Sequence, residues 1–398
     1  MQSIPHKNSF GAKICTFFHN ETVLSIAVTL ALLSMFLVFP DKEYISYIDF
    51  RTLGILFCLM TIVAALKEIG LFDRLAQSML SKVHTIKGIV SLLVLLSFFF
   101  SMVITNDVAL ITFVPLTIIV MKHVTSELRK KWFLTTVVMQ TIAANLGSML
   151  TPIGNPQNLY LYGKSGISIL EFVRLLLPYS IAALVLLLVW ISIESKRKCR
   201  DSSGNSQPDI KLTVWGFDTG SIMQHPRGKE YTICYFLLFG ISLLSVGHIV
   251  PFTVPFMFVL IYSLVRNRQV LKHVDYSLLG TFAALFIFIG NLGRIAWFRD
   301  FLQSIITGRE ALTAVIASQV MSNVPAAILL SGFTDRFDSL IIGTNIGGLG
   351  TLIASMASLI SFKYIAKEEG NLRGKYFVTF TAANIVFLIV MLLIMWVV

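Results

Sequence analysis

Four short polar groups interrupt otherwise apolar sequence: Thr105-Asn106-Asp107, Ser322-Asn323-Val324-Pro325, the run Thr151-Pro152-Ile153-Gly154-Asn155-Pro156-Gln157-Asn158, and Gly343-Thr344-Asn345 with Thr351 and Ser355 downstream. Most of their polar side chains are amides and hydroxyls, which serve carboxylates and sodium alike. Pro152 and Pro156 remove backbone donors and Gly154 lets the chain turn, so a helix should unwind near 151–156. Unwound backbone frees carbonyls for a cation. Helix N-termini at the two tips would present N–H groups to an anion. Asn145 and Asn345 fit either binding or plain helix-to-helix contact. Asp107 is an acid near membrane depth, where acids are rare. It would bind or relay a cation, or cap the helix that follows it. No arginine in these groups could clamp a dicarboxylate. Recognition would then fall to neutral side chains and helix ends, with a bound cation beside them.

Other chemistry has little support. No His/Glu metal pair, Ser–His dyad or paired-Asp motif lies at suitable positions, so an intramembrane enzyme is the weak alternative. Cys15, Cys58, Cys199 and Cys234 lack CxxC spacing, which points to neither zinc nor a disulfide framework. No cofactor is expected beyond bound sodium.

The elements that must position these groups are helices in a bilayer. Of 398 residues 56% are hydrophobic and only 13% charged, too much apolar surface for a soluble fold of this size to bury. Spans of about 20 apolar residues are what a hydrocarbon core requires. Nine are expected, near 22–39, 48–66, 132–162, 170–193, 231–248, 252–265, 275–293, 339–362 and 376–397. The stretches 88–121 and 310–331 are broken at their centres, and each arm is short for a span. They are expected to be re-entrant helical hairpins, with non-helical tips sheltered by protein or water. Residues 1–20 are polar, and the first apolar run reads as a transmembrane helix rather than a cleaved leader. The fold class is thus an all-α polytopic membrane protein with two hairpins and two interrupted helices.

Charge gives the orientation. With a cytoplasmic N-terminus, 24 of the 32 Lys and Arg residues fall in inside segments and eight outside, as the positive-inside rule requires. The C-terminus is then outside. The net charge of +11 belongs to these loops, not to a nucleic-acid surface. A cell inner or plasma membrane of a prokaryote is the expected setting.

The two halves resemble each other. Asn145, Gly147, Thr151 and Ile153 match Asn345, Gly347, Thr351 and Ile353 at a constant offset of 200. Thr105-Asn106 answers Ser322-Asn323, and Leu66, Ile69, Phe72, Gln77 and Ser78 answer Leu292, Ile295, Phe298, Gln303 and Ser304. The expected organisation is a first repeat over 22–193 (hairpin 88–121, broken helix 132–162), a cytoplasmic linker at 194–230, a connecting span at 231–251, and a second repeat over 252–397 (hairpin 310–331, broken helix 339–362). The hairpins would enter from opposite sides, so the repeats are inverted. That symmetry is found in carriers that alternate access around a midplane site.

Ile104-Thr-Asn-Asp-Val-Ala-Leu110 with Pro115, followed by Asn145-Leu-Gly and Thr151-Pro-Ile-Gly-Asn-Pro-Gln-Asn158, resembles the ion transporter superfamily over about 22–193 and 250–397. Within it the chain is similar to the citrate-transporter-like and arsenical-pump permease group, which includes sodium/proton antiporters. The resemblance implies a scaffold with a mobile domain carrying hairpins and broken helices, and a homodimer. It also implies tip residues that bind sodium and substrate carboxylate, here Asn106 and Asn323. The tips depart from the Ser-Asn-Thr of better-known members at the third position, which is Asp107 or Val324. The implied function is coupled transport of citrate-like anions. Sodium/proton antiport and arsenite-type oxyanion efflux are the alternatives that Asp107 favours.

Overall fold

The computed structural model describes residues 21–200 and 228–397, and every regular element among them is helical. The N-terminal 20 residues, with Cys15, and most of the expected linker (201–227) lie outside the described residues. The linker's first residues continue a long helix instead.

In chain order the helices are α1 (Thr22–Met35), α2 (Glu43–Tyr47), α3 (Phe50–Glu68), α4 (Leu71–Leu80), α5 (Ile86–Ile104), α6 (Asn106–Lys122), α7 (Ser126–Gly147), α8 (Pro156–Ser165), α9 (Ile169–Arg200) and α10 (Gly228–Val246). There follow α11 (Thr253–Arg266), α12 (Arg268–Leu271), α13 (Tyr276–Gly293), α14 (Ala296–Ile306), α15 (Glu310–Met321), α16 (Asn323–Ser331), α17 (Phe337–Ile346), α18 (Met356–Glu368) and α19 (Arg373–Val397). The interrupted stretches 132–162 and 339–362 are each two helices. A 3-10 turn at Ser148–Leu150 and irregular backbone over 151–155 separate α7 from α8, and residues 347–355 separate α17 from α18.

Caps fix where the helices begin. The Asp49 carboxylate accepts from Thr52 N at 3.0 Å to open α3, and Asp275 accepts from Leu278 N at 2.9 Å to open α13. Both aspartates have the same backbone angles, φ −79° and ψ 84°. These side-chain acceptors satisfy amides that the first helical turn leaves orphaned.

Among the described residues six helical segments are long and apolar enough to cross a membrane: Phe50–Glu68, Ile86–Ile104, Ser126–Leu150, Ile169–Arg197, Tyr276–Gly293 and Gly370–Val397. Four shorter apolar helices accompany them, Thr22–Met35, Glu230–Val246, Thr253–Arg266 and Glu310–Met321. One sequence expectation changes here. The first arm of the first hairpin runs 19 residues, roughly 28 Å at 1.5 Å per residue, and is not short for a span; its counterpart α15 has 12.

Burial separates a lipid face from a protein face on single helices. In α19, Tyr376, Phe380, Ala383, Phe387 and Met391 are buried at helical spacing, while Val378, Ile385, Ile389 and Leu393 are exposed. In α9, Ala183, Leu187 and Ile191 are buried, and Ile181, Val185 and Val189 are exposed. Apolar bands of this extent on several helices are stable in hydrocarbon and not in water. The chain is an integral, multi-pass membrane protein.

Helices α5, α6 and α7 pack together, as do α15, α16 and α17. Helix α18 lies against α6 and α7, and α8 lies against α16 and α17, so each half inserts its last broken segment into the other. Helices α10 and α11 flank α3, and α1 pairs with α13.

Candidate functional site

Each helix pair turns at one residue in a strained conformation. Thr105 joins α5 to α6 with φ 73° and ψ 152°; Ser322 joins α15 to α16 with φ 75° and ψ 154°. Side-chained residues rarely adopt this conformation, so something must hold it. The holding contacts are the same at both turns. Asn106 N donates to Gly154 O at 3.1 Å and Asn323 N to Ala354 O at 2.9 Å. Thr151 Oγ1 donates to Met102 O at 2.5 Å, and Thr351 Oγ1 donates to Gln319 O at 3.0 Å, three residues before each turn. Gly154 N bonds Thr151 O, as Ala354 N bonds Thr351 O, closing each break on itself at 3.3 and 3.2 Å. Each tip is therefore docked by backbone onto the unwound segment of its own half.

Glycine permits the docking. A Cβ on Gly147 would lie 2.1 Å from Phe98 O and 2.6 Å from Ser101 Oγ; one on Gly347 would lie 2.7 Å from Ser318 Oγ. Ser101 and Ser318 each stand four residues before a tip, and both are fully buried.

The two halves then exchange asparagines. Asn145 accepts from Ser355 Oγ at 3.0 Å and reaches Ser358 Oγ at 3.4 Å. Asn345 accepts from Asn155 Nδ2 at 3.1 Å and donates to Asn158 Oδ1 at 2.6 Å. The offset of 200 thus relates 145 to 345, 155 to 355 and 158 to 358 in a single reciprocal network. All six side chains are buried. Asn155 also caps α8 through Asn158 N at 3.0 Å, and Asn106 Nδ2 joins by donating to Asn145 Oδ1 at 3.2 Å.

Beside this network is a cavity of about 540 Å³. Its polar wall includes Thr105, Asp107 and Asn155, next to Pro156 and Ile153; aliphatic side chains of α3 and α6 complete much of the rest. Charged residues gather where α3 ends and α13 begins: Lys67, Glu68, His273 and Asp275. Glu68 is tied to Asn267 (2.9 Å), whose amide also reaches Tyr231 OH at 2.6 Å, fixing α10 and α11 to the end of α3.

The candidate residues from sequence thus divide. Thr105, Asp107 and Asn155 face the cavity. Asn145, Asn345 and Ser355 form the crossing network behind it, and Asn106, Asn323, Thr151, Thr351, Gly154 and Ser322 hold the tips. Pro152 is buried within the first break, and Pro156 starts α8. The Asn106 amide is engaged at both ends, since its Oδ1 accepts from Asp107 N at 2.9 Å. Sequence reasoning missed Ser358, Ser101, Ser318 and Gln319. The repeat offsets point to Ser358 from Asn158 and to Ser318 from Ser101. Gln319 gave no signal, yet its Nε2 donates to Gly347 O and Leu349 O at 2.9 Å each and its Oε1 accepts from Thr351 N. Among the described residues no group of His, Cys, Asp and Glu is arranged to hold a metal.

Broken helices that meet at a buried polar centre, beside a cavity and within a lipid-exposed helical shell, define a membrane transporter. The sequence profile of the citrate transporter family matches residues 16–334, and the chain belongs to that family. It is 33% identical over 352 residues to an uncharacterised transporter of Methanocaldococcus jannaschii, covering 88% of this chain and 89% of that protein. It is 30% identical over 336 residues to the inner membrane protein YbiR of Escherichia coli, covering 83% and 84%. A shorter match of 145 residues, 32% identical, covers 36% of this chain and 28% of the silicon efflux transporter LSI3 of Oryza sativa subsp. japonica.

Proposed function

We propose that the chain is a secondary active transporter that moves small citrate- or dicarboxylate-like anions across the membrane by alternating access, coupled to sodium or protons. The observation that carries this reading is the duplicated docking of tip onto break, joined by the reciprocal asparagine network. It supports two inverted repeats, 22–193 and 252–397, whose hairpins are re-entrant from opposite sides. Two such units can exchange conformations about a shared centre, and each open state then mirrors the other. The end of α3 with Lys67 and Glu68, and the turn with His273, are cytoplasmic under the basic-residue bias, so the cavity is open to the inside. The N-terminus is cytoplasmic, the C-terminus is outside, and the membrane is a prokaryotic inner or plasma membrane.

The cavity wall offers no arginine. An anion is received there by amide, hydroxyl and helix-end donors with a cation accompanying it; Asn106 and Asn323 open the two tip helices, whose N-termini would receive the carboxylate while side-chain and freed backbone oxygens take the sodium. The family resemblance supports a homodimer.

Reconstituted liposomes test the reading through uptake of labelled citrate and succinate under imposed sodium and proton gradients. Uptake that requires one gradient and is lost in an Asn106→Ala/Asn323→Ala double variant supports it. Folded protein that moves neither anion under either gradient sinks it.

A second reading, sodium/proton antiport or arsenite-type oxyanion efflux, is favoured by one observation: the only ionisable group at either tip is an acid, Asp107, on the cavity wall. The match to a relative named as a silicon efflux transporter supports the efflux form of this reading. Proton movement on adding sodium or lithium, or metalloid resistance in cells, would decide for it if Asp107→Asn abolishes the effect.

A further inference from the structure

The backbone geometry of the two tips is duplicated, but their charge is not. The residue after Asn106 is Asp107; the residue after Asn323 is Val324, which is buried. Asp107 Oδ1 is covered by protein and has no hydrogen-bond partner. The ion pairs among the described residues do not include it. It shares the cavity wall with the apolar Val108, Ile111, Ile153 and Leu159 and with the uncharged polar Thr105 and Asn155. An ionised carboxylate left this way in apolar surroundings is strongly disfavoured, and structures answer with a proton or a coordinated cation.

A second feature lies one turn along the same helix. Pro115 is inside α6 and has no N–H, so the Ile111 carbonyl loses its regular in-helix donor. Asp107 and Ile111 are four residues apart, on one face, and both line the cavity. The second hairpin has neither feature, since the equivalent positions hold Val324 and Gly332.

We propose that the coupling cation, sodium or a proton, binds once per chain on the cavity side of α6, at the Asp107 carboxylate with the Ile111 carbonyl beside it. The proposal deepens the transport reading and rests on it for the word coupling. It sets the stoichiometry: one cation from this site per cycle, not one at each tip. The other charged groups on the cavity are Lys67 and Glu68 at the end of α3 and His273 and Asp275 before α13. Helices α4, α5, α7 and α18, which pack against α6, bring no charged side chain to the cavity; Asp73 and Arg74 of α4 are not on its wall. Asp275 Oδ1 caps α13 through Leu278 N and Glu68 Oε2 accepts from Asn267, whereas Asp107 Oδ1 is buried without a hydrogen-bond partner.

The test needs no transported solute. Purified full-length protein in detergent is titrated with sodium chloride at constant ionic strength, choline replacing sodium, and separately with pH from about 5 to 9 around the usual titration window. The thermal unfolding midpoint is read in each. The wild type should respond to at least one of the two ligands, and a sodium response should saturate with a Hill coefficient near one. Asp107→Asn should lose that response while keeping a wild-type midpoint in choline at the acid end, which shows that it folds. Pro115→Ala, which restores an amide to the Ile111 carbonyl, should weaken apparent sodium affinity roughly tenfold where sodium is the ligand. Asp300→Asn, a surface carboxylate on α14, serves as the unaffected control.

A sodium or pH response that is identical in wild type and Asp107→Asn overturns the proposal and moves the cation elsewhere, the tip asparagines first. A wild type that responds to neither ligand also overturns it. If the response disappears in Asp107→Asn but no citrate or succinate is taken up, the site stands and the choice of substrate fails.

Discussion

Asn345 shows how much can depend on one amide. It lies at the end of α17, accepts from Asn155 and donates to Asn158, and its amide also reaches Ile341 O at 2.7 Å. Replacing it with alanine leaves Asn158 Oδ1 buried without its partner, at about 1–3 kcal/mol for an unsatisfied group, and leaves Asn155 Nδ2 with Ser148 Oγ alone. Asn345→Ala should lower the thermal midpoint and reduce gradient-driven uptake by at least roughly tenfold, which is about 1.4 kcal/mol. Uptake at wild-type rates from Asn345→Ala would remove the crossing network from the mechanism. The sequence already made this residue a candidate through its match to Asn145. It did not give the partners, because the network joins positions nearly 200 residues apart and is closed only when α8 and α18 cross into opposite halves.

At the scale of elements, the docking of α5 onto α7 depends on a missing side chain. Gly147 brings the α7 backbone against Phe98 O, and an added methyl would sit 2.1 Å from that backbone oxygen. Backbone cannot swing aside as a side-chain end can, so the helices must separate. Gly147→Ala should therefore lower the thermal midpoint and abolish uptake although Gly147 does not line the cavity beside Asp107; an unchanged midpoint would contradict the close approach. At Gly347 the added methyl would sit 2.7 Å from the Ser318 hydroxyl and 2.8 Å from both Ser318 Cβ and Gly343 O, less tight than the 2.1 Å approach at Gly147, so Gly347→Ala should be destabilising but milder. The outer corner offers a pH test. Asp41 hydrogen-bonds Arg294 at 2.6 Å, which holds its carboxyl below the usual carboxylate range. Its small contribution is present above the unfolded carboxyl value near ~3.9 and is lost as pH falls through the lowered folded value. Asp41→Asn should thus affect stability slightly at neutral pH and not at all below that window, as thermal unfolding across pH would read.

For the whole molecule, orientation follows from where the positive charge can cross. Single cysteines at Lys130 and Lys164, placed in a background freed of the four native cysteines, should be labelled by an impermeant thiol reagent from opposite faces of the membrane. Lys130 lies in the basic N-terminal turns of α7, and Lys164 at the end of α8. Labelling of both from one face would end the proposed topology and the inverted relation of the repeats with it. The exposed apolar faces of α9 and α19 are satisfied by lipid or a second subunit, and crosslinking in native membranes would tell these apart.

Sequence alone determined the class and the polar centre. Apolar runs announce a bilayer because no soluble core could bury them, the prolines at 152 and 156 with Gly154 announce a break because helix needs amides they lack, and the offset of 200 survives because paired geometry needs paired residues. The tertiary structure decided what these groups touch. That Asn106 is held by the break, that Asn145 and Asn345 reach into opposite halves, and that Asp107, on the cavity wall, keeps a covered oxygen without a partner are outcomes of packing between distant segments. Local propensity carries no record of such contacts, since each is made only after both halves have folded against one another.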